Sequence, residues 1–462
     1  MICCHSPLAP KRTPLLMLAA FSAVVVLLHL PAVAAADELP PHLLEMEANL
    51  SHEKVLVNEP QEIFATVDLD ALTAEVDERP PMNLALVLDR SGSMRGARIQ
   101  QARNAAVELV DALGKDDRVA LVTYGSDVTL EFESKPVTDA NRQQMRSTIT
   151  GVNASGMTNL SGGYEKGVEI VKQHHNDEAV NRVIHLSDGR ANRGITDPAQ
   201  LKSLSRQAFD DGISTTSIGF GLDYNARVMT GMAREGSGNY YFADDDTELD
   251  QLIAAEVTGM SGTVVNRIEA IISPGPGVEV AEVYGFNERY RDNNLVIGLS
   301  EMSAGLSRNI VLRLNVTARP AEVQEVLDVR VNYRDAVNDR HRYRRHQLQA
   351  NISESSAQVE EHIRADVMTR VEEVLLARAM DEAMQSYSSG DQSKARSQLD
   401  DELEESRQRR ARYNYDSDRI QKMDSRMDDM GKTVERAAPS SAAGRQMEME
   451  ASEDSFEIML SK

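Results

Sequence analysis

Three short segments carry oxygen-bearing side chains at spacings that suit a cation. Asp89-Arg90-Ser91-Gly92-Ser93 follows directly on the apolar run Leu84-Ala85-Leu86-Val87-Leu88 and sets one carboxylate and two hydroxyls on alternate residues. Oxygen donors with no Cys or His beside them fit a hard divalent ion. Gly156-Met157-Thr158-Asn159-Leu160 adds a hydroxyl in a glycine-containing loop ahead of a helical pattern. Ser187-Asp188-Gly189-Arg190-Ala191-Asn192 adds a second carboxylate after Arg182-Val183-Ile184-His185-Leu186.

The elements around these segments explain why they would meet. A short, uninterrupted aliphatic run reads as a strand buried on both faces of a parallel sheet. Ligands of such sheets bind at the carboxyl edge of the strands, where all three segments would lie. Together they resemble the von Willebrand factor A (VWA) domain and its metal-ion-dependent adhesion site. Asp89, Ser91, Ser93, Thr158 and Asp188 match that motif residue by residue. The resemblance implies a Rossmann-like α/β domain holding Mg²⁺, or Ca²⁺ or Mn²⁺. It implies that the hydroxyls bind directly and that one or both carboxylates act through water. An open coordination position would then accept an Asp or Glu of a protein partner. Gly92 and Gly189 would let the backbone approach the ion, and Met94, Arg95 and Arg190 would rim it.

The pattern along the chain places this unit at 82–259, with alternating strands and helices. Ile99, Ala102, Ala106, Leu109, Val110 and Leu113 mark one face of its first helix. Strand-like pieces lie on both sides. Those within 43–80 are too few to bury a core alone, so they are expected to join a β-sandwich over 262–352, leaving the VWA unit inserted within it. Residues 358–435 read as helical, with a hairpin whose first helix carries Ile363, Val367, Val371, Val374 and Ala377 and whose second carries Ala395, Leu399 and Leu403. From 437 to 462 the Ser, Ala, Glu and Met content reads as a disordered tail. The expected fold class is α/β: a Rossmann-like VWA domain with a parallel-type sheet, flanked by a β-sandwich and a C-terminal helical hairpin.

Composition bounds the function. The 462-residue chain carries a formal net charge of −23 and no Trp. Such a charge repels phosphate backbones and argues against nucleic-acid partners. Lys11 and Arg12, the apolar stretch from Leu15 to Leu30 and the A-x-A pattern before Asp37 have the layout of a signal peptide at 1–36. The chain is therefore expected to be exported, periplasmic or secreted, or membrane-anchored if the leader is kept. Both cysteines, Cys3 and Cys4, fall inside that segment, which leaves the mature chain without a thiol.

No enzyme is expected. Phosphoryl transfer from Asp89 would want a second carboxylate at position 91, where Ser stands, and G-x-S-x-G and H-E-x-x-H are absent. A metal-stiffened envelope scaffold is the alternative to an adhesion module. The basic run Arg340-His341-Arg342-Tyr343-Arg344-Arg345-His346 reads either as an envelope contact or as an edge strand guarded by charge. The oligomeric state is open.

Overall fold

The computed structural model describes residues 42–74, 79–188, 190–221, 224–243 and 246–460. The expected leader at 1–36 and Gly189 lie outside them. The centre is a six-stranded sheet in the spatial order Val128–Pro136, Arg118–Tyr124, Met82–Asp89, Val180–Ser187, Ser214–Phe220, Ser237–Ala243. All neighbours run parallel except the antiparallel edge strand Val128–Pro136. Met82–Asp89 is buried along its whole length. Its side chains alternate between faces. Leu84, Leu86 and Leu88 join a core with the helices Ala97–Ala112, Asp139–Gly151 and Asp246–Ser261. Ala85 and Val87 join a second core with Leu160–Gln173, Pro198–Asp210 and Ala226–Glu235. From Leu84 to Leu88 the strand is apolar on both sides, and its carboxylate appears only where it ends, at Asp89.

Two further sheets pack face to face. One runs Leu44–Leu50, Pro60–Ala71, Ser307–Thr317, Val278–Tyr284. The other runs Glu288–Arg291, Asn294–Leu299, Thr263–Pro274, Val323–Asp335, Arg340–Ser353, Lys54–Leu56. Their inner faces share one apolar core. Pro60–Ala71 pairs with Ser307–Thr317 from Asp70 opposite Ser307 to Pro60 opposite Thr317, so strands from before and after the central sheet belong to one layer. The basic run lies in Arg340–Ser353, which is paired on one side along its length and reaches Lys54–Leu56 only at its far end. Its cations are largely engaged. Arg345 pairs with Asp328, Arg342 with Asp335, and Arg344 Nε donates to Leu44 O at 2.8 Å.

The C-terminal helices are Ala365–Ser388, Gln392–Tyr413, Asp418–Arg436 and Ala442–Leu460, after the short Ser356–Glu361. The hairpin expected from sequence is thus the first half of a four-helix layer. Glu372 is fully buried in it, held by Arg409 Nη2 at 2.8 Å and the Tyr415 hydroxyl at 2.7 Å. The disordered tail expected at 437–462 is corrected: 442–460 form a packed helix. Met447, Ala451 and Met459 enter the helical core, while Met449, Phe456 and Leu460 enter the core of the central sheet. A helix buried on two sides shows no single apolar stripe, which is why its composition read as tail. Glu453 Oε1 accepts the Phe242 N–H at 3.2 Å, so this helix also covers the edge strand Ser237–Ala243. No helix among the described residues is long and apolar enough to cross a membrane.

Candidate metal centre

The three segments meet at the carboxyl edge of the central sheet, and backbone hydrogen bonds hold them there. Arg90 N–H donates to Tyr124 O at 2.8 Å, Gly92 N–H to Gly156 O at 2.9 Å, and Ser155 N–H to Arg90 O at 2.6 Å. The Thr158 loop is tied in turn to the loop after Val180–Ser187. Asn192 and Arg193 N–H donate to Thr158 O at 3.1 and 3.2 Å, and the Asn192 side chain accepts the Thr158 N–H at 2.8 Å. A Cβ on Gly92 would meet Gly156 O at 3.2 Å, so this position sits close against the neighbouring loop.

Asp89, Ser91 and Asp188 are buried, at 0, 1 and 0% exposure, and Thr158 at 3%. Ser93 is exposed at the mouth. Asp89 Oδ1 accepts the Ser91 N–H and Oδ2 accepts the Ser187 hydroxyl, each at 2.8 Å. The Ser91 and Ser93 hydroxyls are 2.9 Å apart, and Ser93 Oγ donates to Asp188 Oδ1 at 2.9 Å. Asp89, Ser91, Ser93 and Asp188 are therefore one hydrogen-bonded string. Thr158 reaches the same edge through its backbone ties.

The electrostatics favour a cation. Burial pushes the Asp89 carboxyl up to about 6, with the Asp188 charge adding to the rise. Two carboxylates share a water-poor site, and Arg98 Nη1 at 2.9 Å from Asp188 Oδ2 is a cation supplied by the chain itself. Among the described residues no group of three or more His, Cys, Asp or Glu side chains gathers as a metal set. A cation here would depend on the Ser and Thr hydroxyls, and an all-oxygen set of two carboxylates and three hydroxyls is the donor chemistry of Mg²⁺. The residues fit such an ion.

Three positioning residues escaped the sequence reading. Ser187 was visible as the neighbour of Asp188, Asn192 as an amide in the same loop, but Arg98 contacts Asp188 across 90 positions and leaves no local signal. Met94, expected at the rim, is instead fully buried in the core beneath it. Arg95 and Arg190 are exposed, as is Met157 at 45%. A cavity of about 740 Å³, lined by residues that include Asp177, Arg267, Glu269, Arg289 and Arg342, lies between the central sheet's layer and the sandwich, away from this edge.

Comparison with known proteins identifies the fold. Residues 83–255 match the von Willebrand factor type A domain family. The chain is 26% identical over 273 residues to the uncharacterized protein YfbK of Escherichia coli, covering 58% of this chain and 47% of that protein. It is 29% identical over 177 residues to mouse inter-alpha-trypsin inhibitor heavy chain H3, covering 37% of this chain and 20% of that one. The chain thus spans about half or less of these relatives' lengths. A von Willebrand factor type A structure from Catenulispora acidiphila superposes with a TM-score of 0.71 at 16% identity, over 88% of this chain and 95% of that chain. The ArnB paralog VWA2 from Sulfolobus acidocaldarius gives 0.62 at 16%, over 90% and 98%. These structural likenesses speak to the fold. Domains of this family commonly hold a divalent metal and serve as protein-interaction modules. Residues 83–255 of the chain are a von Willebrand factor type A domain.

Proposed function

We propose that the chain is a cation-dependent interaction module of the cell envelope or exterior, holding Mg²⁺, or Ca²⁺ or Mn²⁺, with Asp89, Ser91, Ser93, Thr158 and Asp188. The observation that carries this reading is the string Ser91–Ser93–Asp188, which brings hydroxyls from one loop onto a carboxylate from another. When bound, the cation supplies positive charge with a coordination position open to a partner's Asp or Glu. The chain's own residues do the rest. Ser187 and the Ser91 N–H orient Asp89. Asn192 fixes the Thr158 loop. Buried Asp89 and Asp188 make the site costly to leave uncompensated. Ser93 stands at the exposed mouth where a partner would arrive.

Catalysis is not part of the proposal. Both Asp89 oxygens accept hydrogen bonds in a buried position, which suits an oriented charge better than a nucleophile. Export rests on the leader pattern at 1–36 and on the absence of cysteine after it. A scaffold reading is favoured by one contact, Arg98 on Asp188, which partly compensates the site without any partner. A crosslinking pull-down from envelope extract separates the two. Capture of a partner in Mg²⁺ that is lost in EDTA and lost in Asp89→Ala supports the interaction module. Capture that is unchanged in both, from a chain whose melting still responds to Mg²⁺, supports the scaffold.

A further inference from the structure

A second polar cavity, of about 450 Å³, opens where four segments meet. Arg190 comes from the loop after Val180–Ser187, and Arg227 from the first turn of Ala226–Glu235. Ser388 closes Ala365–Ser388, while Ser440 precedes Ala442–Leu460 and Arg445 lies in its first turn. Among the described residues the carboxylate in the lining is Glu448. Among the described residues three guanidiniums and one acid line the cavity, in a chain of net charge −23.

Arg190 and Arg227 differ from arginines elsewhere in the fold. Arg182 and Arg409 are matched by buried carboxylates, Glu256 and Glu372. Arg190 and Arg227 form no ion pair among the described residues, and Arg227 Nη1 reaches the Ser388 hydroxyl at 3.5 Å. Glu448 is near enough to feel both charges, yet burial dominates and holds its carboxyl above the usual range. Guanidiniums turned towards one cavity repel each other unless an anion joins them. The Ala226–Glu235 N-terminus, capped by Asn225, faces the same space and adds to the attraction. The end of Ala365–Ser388 opposes it, so the arginines carry the charge.

We infer that this cavity is a binding site for a tetrahedral oxyanion of the phosphate class, free or as a small monoester, held by Arg190, Arg227 and Arg445 with the Ser388 and Ser440 hydroxyls. Forked guanidiniums and hydroxyls present many donors at once, which matches an anion with several acceptor oxygens. The volume exceeds a bare phosphate and leaves room for a small ester group. The site joins the von Willebrand factor type A domain to the C-terminal helices, and Arg190 lies two residues beyond Asp188. It does not depend on a cation.

The test is calorimetric titration of the full chain, in EDTA and at constant ionic strength, with inorganic phosphate and with glycerol 3-phosphate. Saturable binding of one equivalent is expected. Arg227→Gln and Arg445→Gln should each weaken it about tenfold or more, as for loss of a charge-assisted contact. Glu448→Gln should tighten it, because the competing acid is gone. Arg330→Gln, beside Tyr343 on the sandwich, should leave it unchanged. Equal affinity for the two probes assigns the site to the free anion, and tighter glycerol 3-phosphate to the monoester. No saturable binding of either, binding indifferent to Arg227→Gln and Arg445→Gln in variants with native circular dichroism, or weakening by Glu448→Gln would overturn the inference.

Discussion

Asp89→Asn should make the protein more stable without a cation and insensitive to one. The ionised carboxylate is fully buried, and its ordinary value of 3.8 is raised to about 6, first by desolvation. A carboxyl raised on folding favours the protonated folded form. Its contribution is present below 3.8 and lost as pH rises through about 6. Roughly two units correspond to about 3 kcal/mol of penalty at pH 7.5. Asparagine removes the charge but places an amide where Asp89 now accepts from Ser91 N–H and Ser187 Oγ, so one of those contacts is lost at about 1 kcal/mol. The net expectation in EDTA is a gain of about 2 kcal/mol by chemical denaturation. Saturating Mg²⁺ at a hundred times its dissociation constant should stabilise the wild type by about 2.7 kcal/mol and the variant hardly at all. The variant's advantage in EDTA should fade as pH falls towards 4. A variant weaker than wild type in EDTA, or one that responds to Mg²⁺ as the wild type does, would refute the reasoning.

Other outcomes follow from the same geometry. Burial holds the His52 imidazole down at about 4 from 6.5, so its contribution is intact above pH 6.5 and lost as pH falls towards 4. His52→Gln should flatten the acid limb of stability by up to about 3 kcal/mol, checked by urea midpoints between those pH values. At Gly163 a Cβ would meet the Tyr124 ring at 2.4 Å. Gly163→Ala should therefore cost about 1–3 kcal/mol and, by shifting the helix that begins after Thr158, weaken cation binding measured calorimetrically. Phe456 packs edge-on to Tyr240 at 6.0 Å between ring centroids. Phe456→Ala should cost about 3–5 kcal/mol and speed proteolysis at the C-terminal helix, whereas a dispensable tail would lose nothing.

How much of this was legible depended on how each element is buried. Met82–Asp89 and Val180–Ser187 are covered on both faces, so their apolar runs stood out and the chemistry at their ends with them. The strand Val128–Pro136 buries only Phe132, and the helix Asp139–Gly151 only Met145 and Ile149, so neither left a periodic trace. Ala442–Leu460 failed for the opposite reason, with apolar contacts on more than one side. At the metal centre the proposed ligands were visible because loop spacing is local. Arg98 was not, because its contact with Asp188 is made by the fold alone.

The claim beneath the proposed function is that hydroxyls and carboxylates from three loops bind one cation. Titrating the chelator-stripped chain with Mn²⁺ by calorimetry tests it directly. One ion per chain, lost in Ser93→Ala and Asp188→Asn variants that remain folded, is the predicted result. No binding by the wild type, or the same stoichiometry and affinity in both variants, would contradict it.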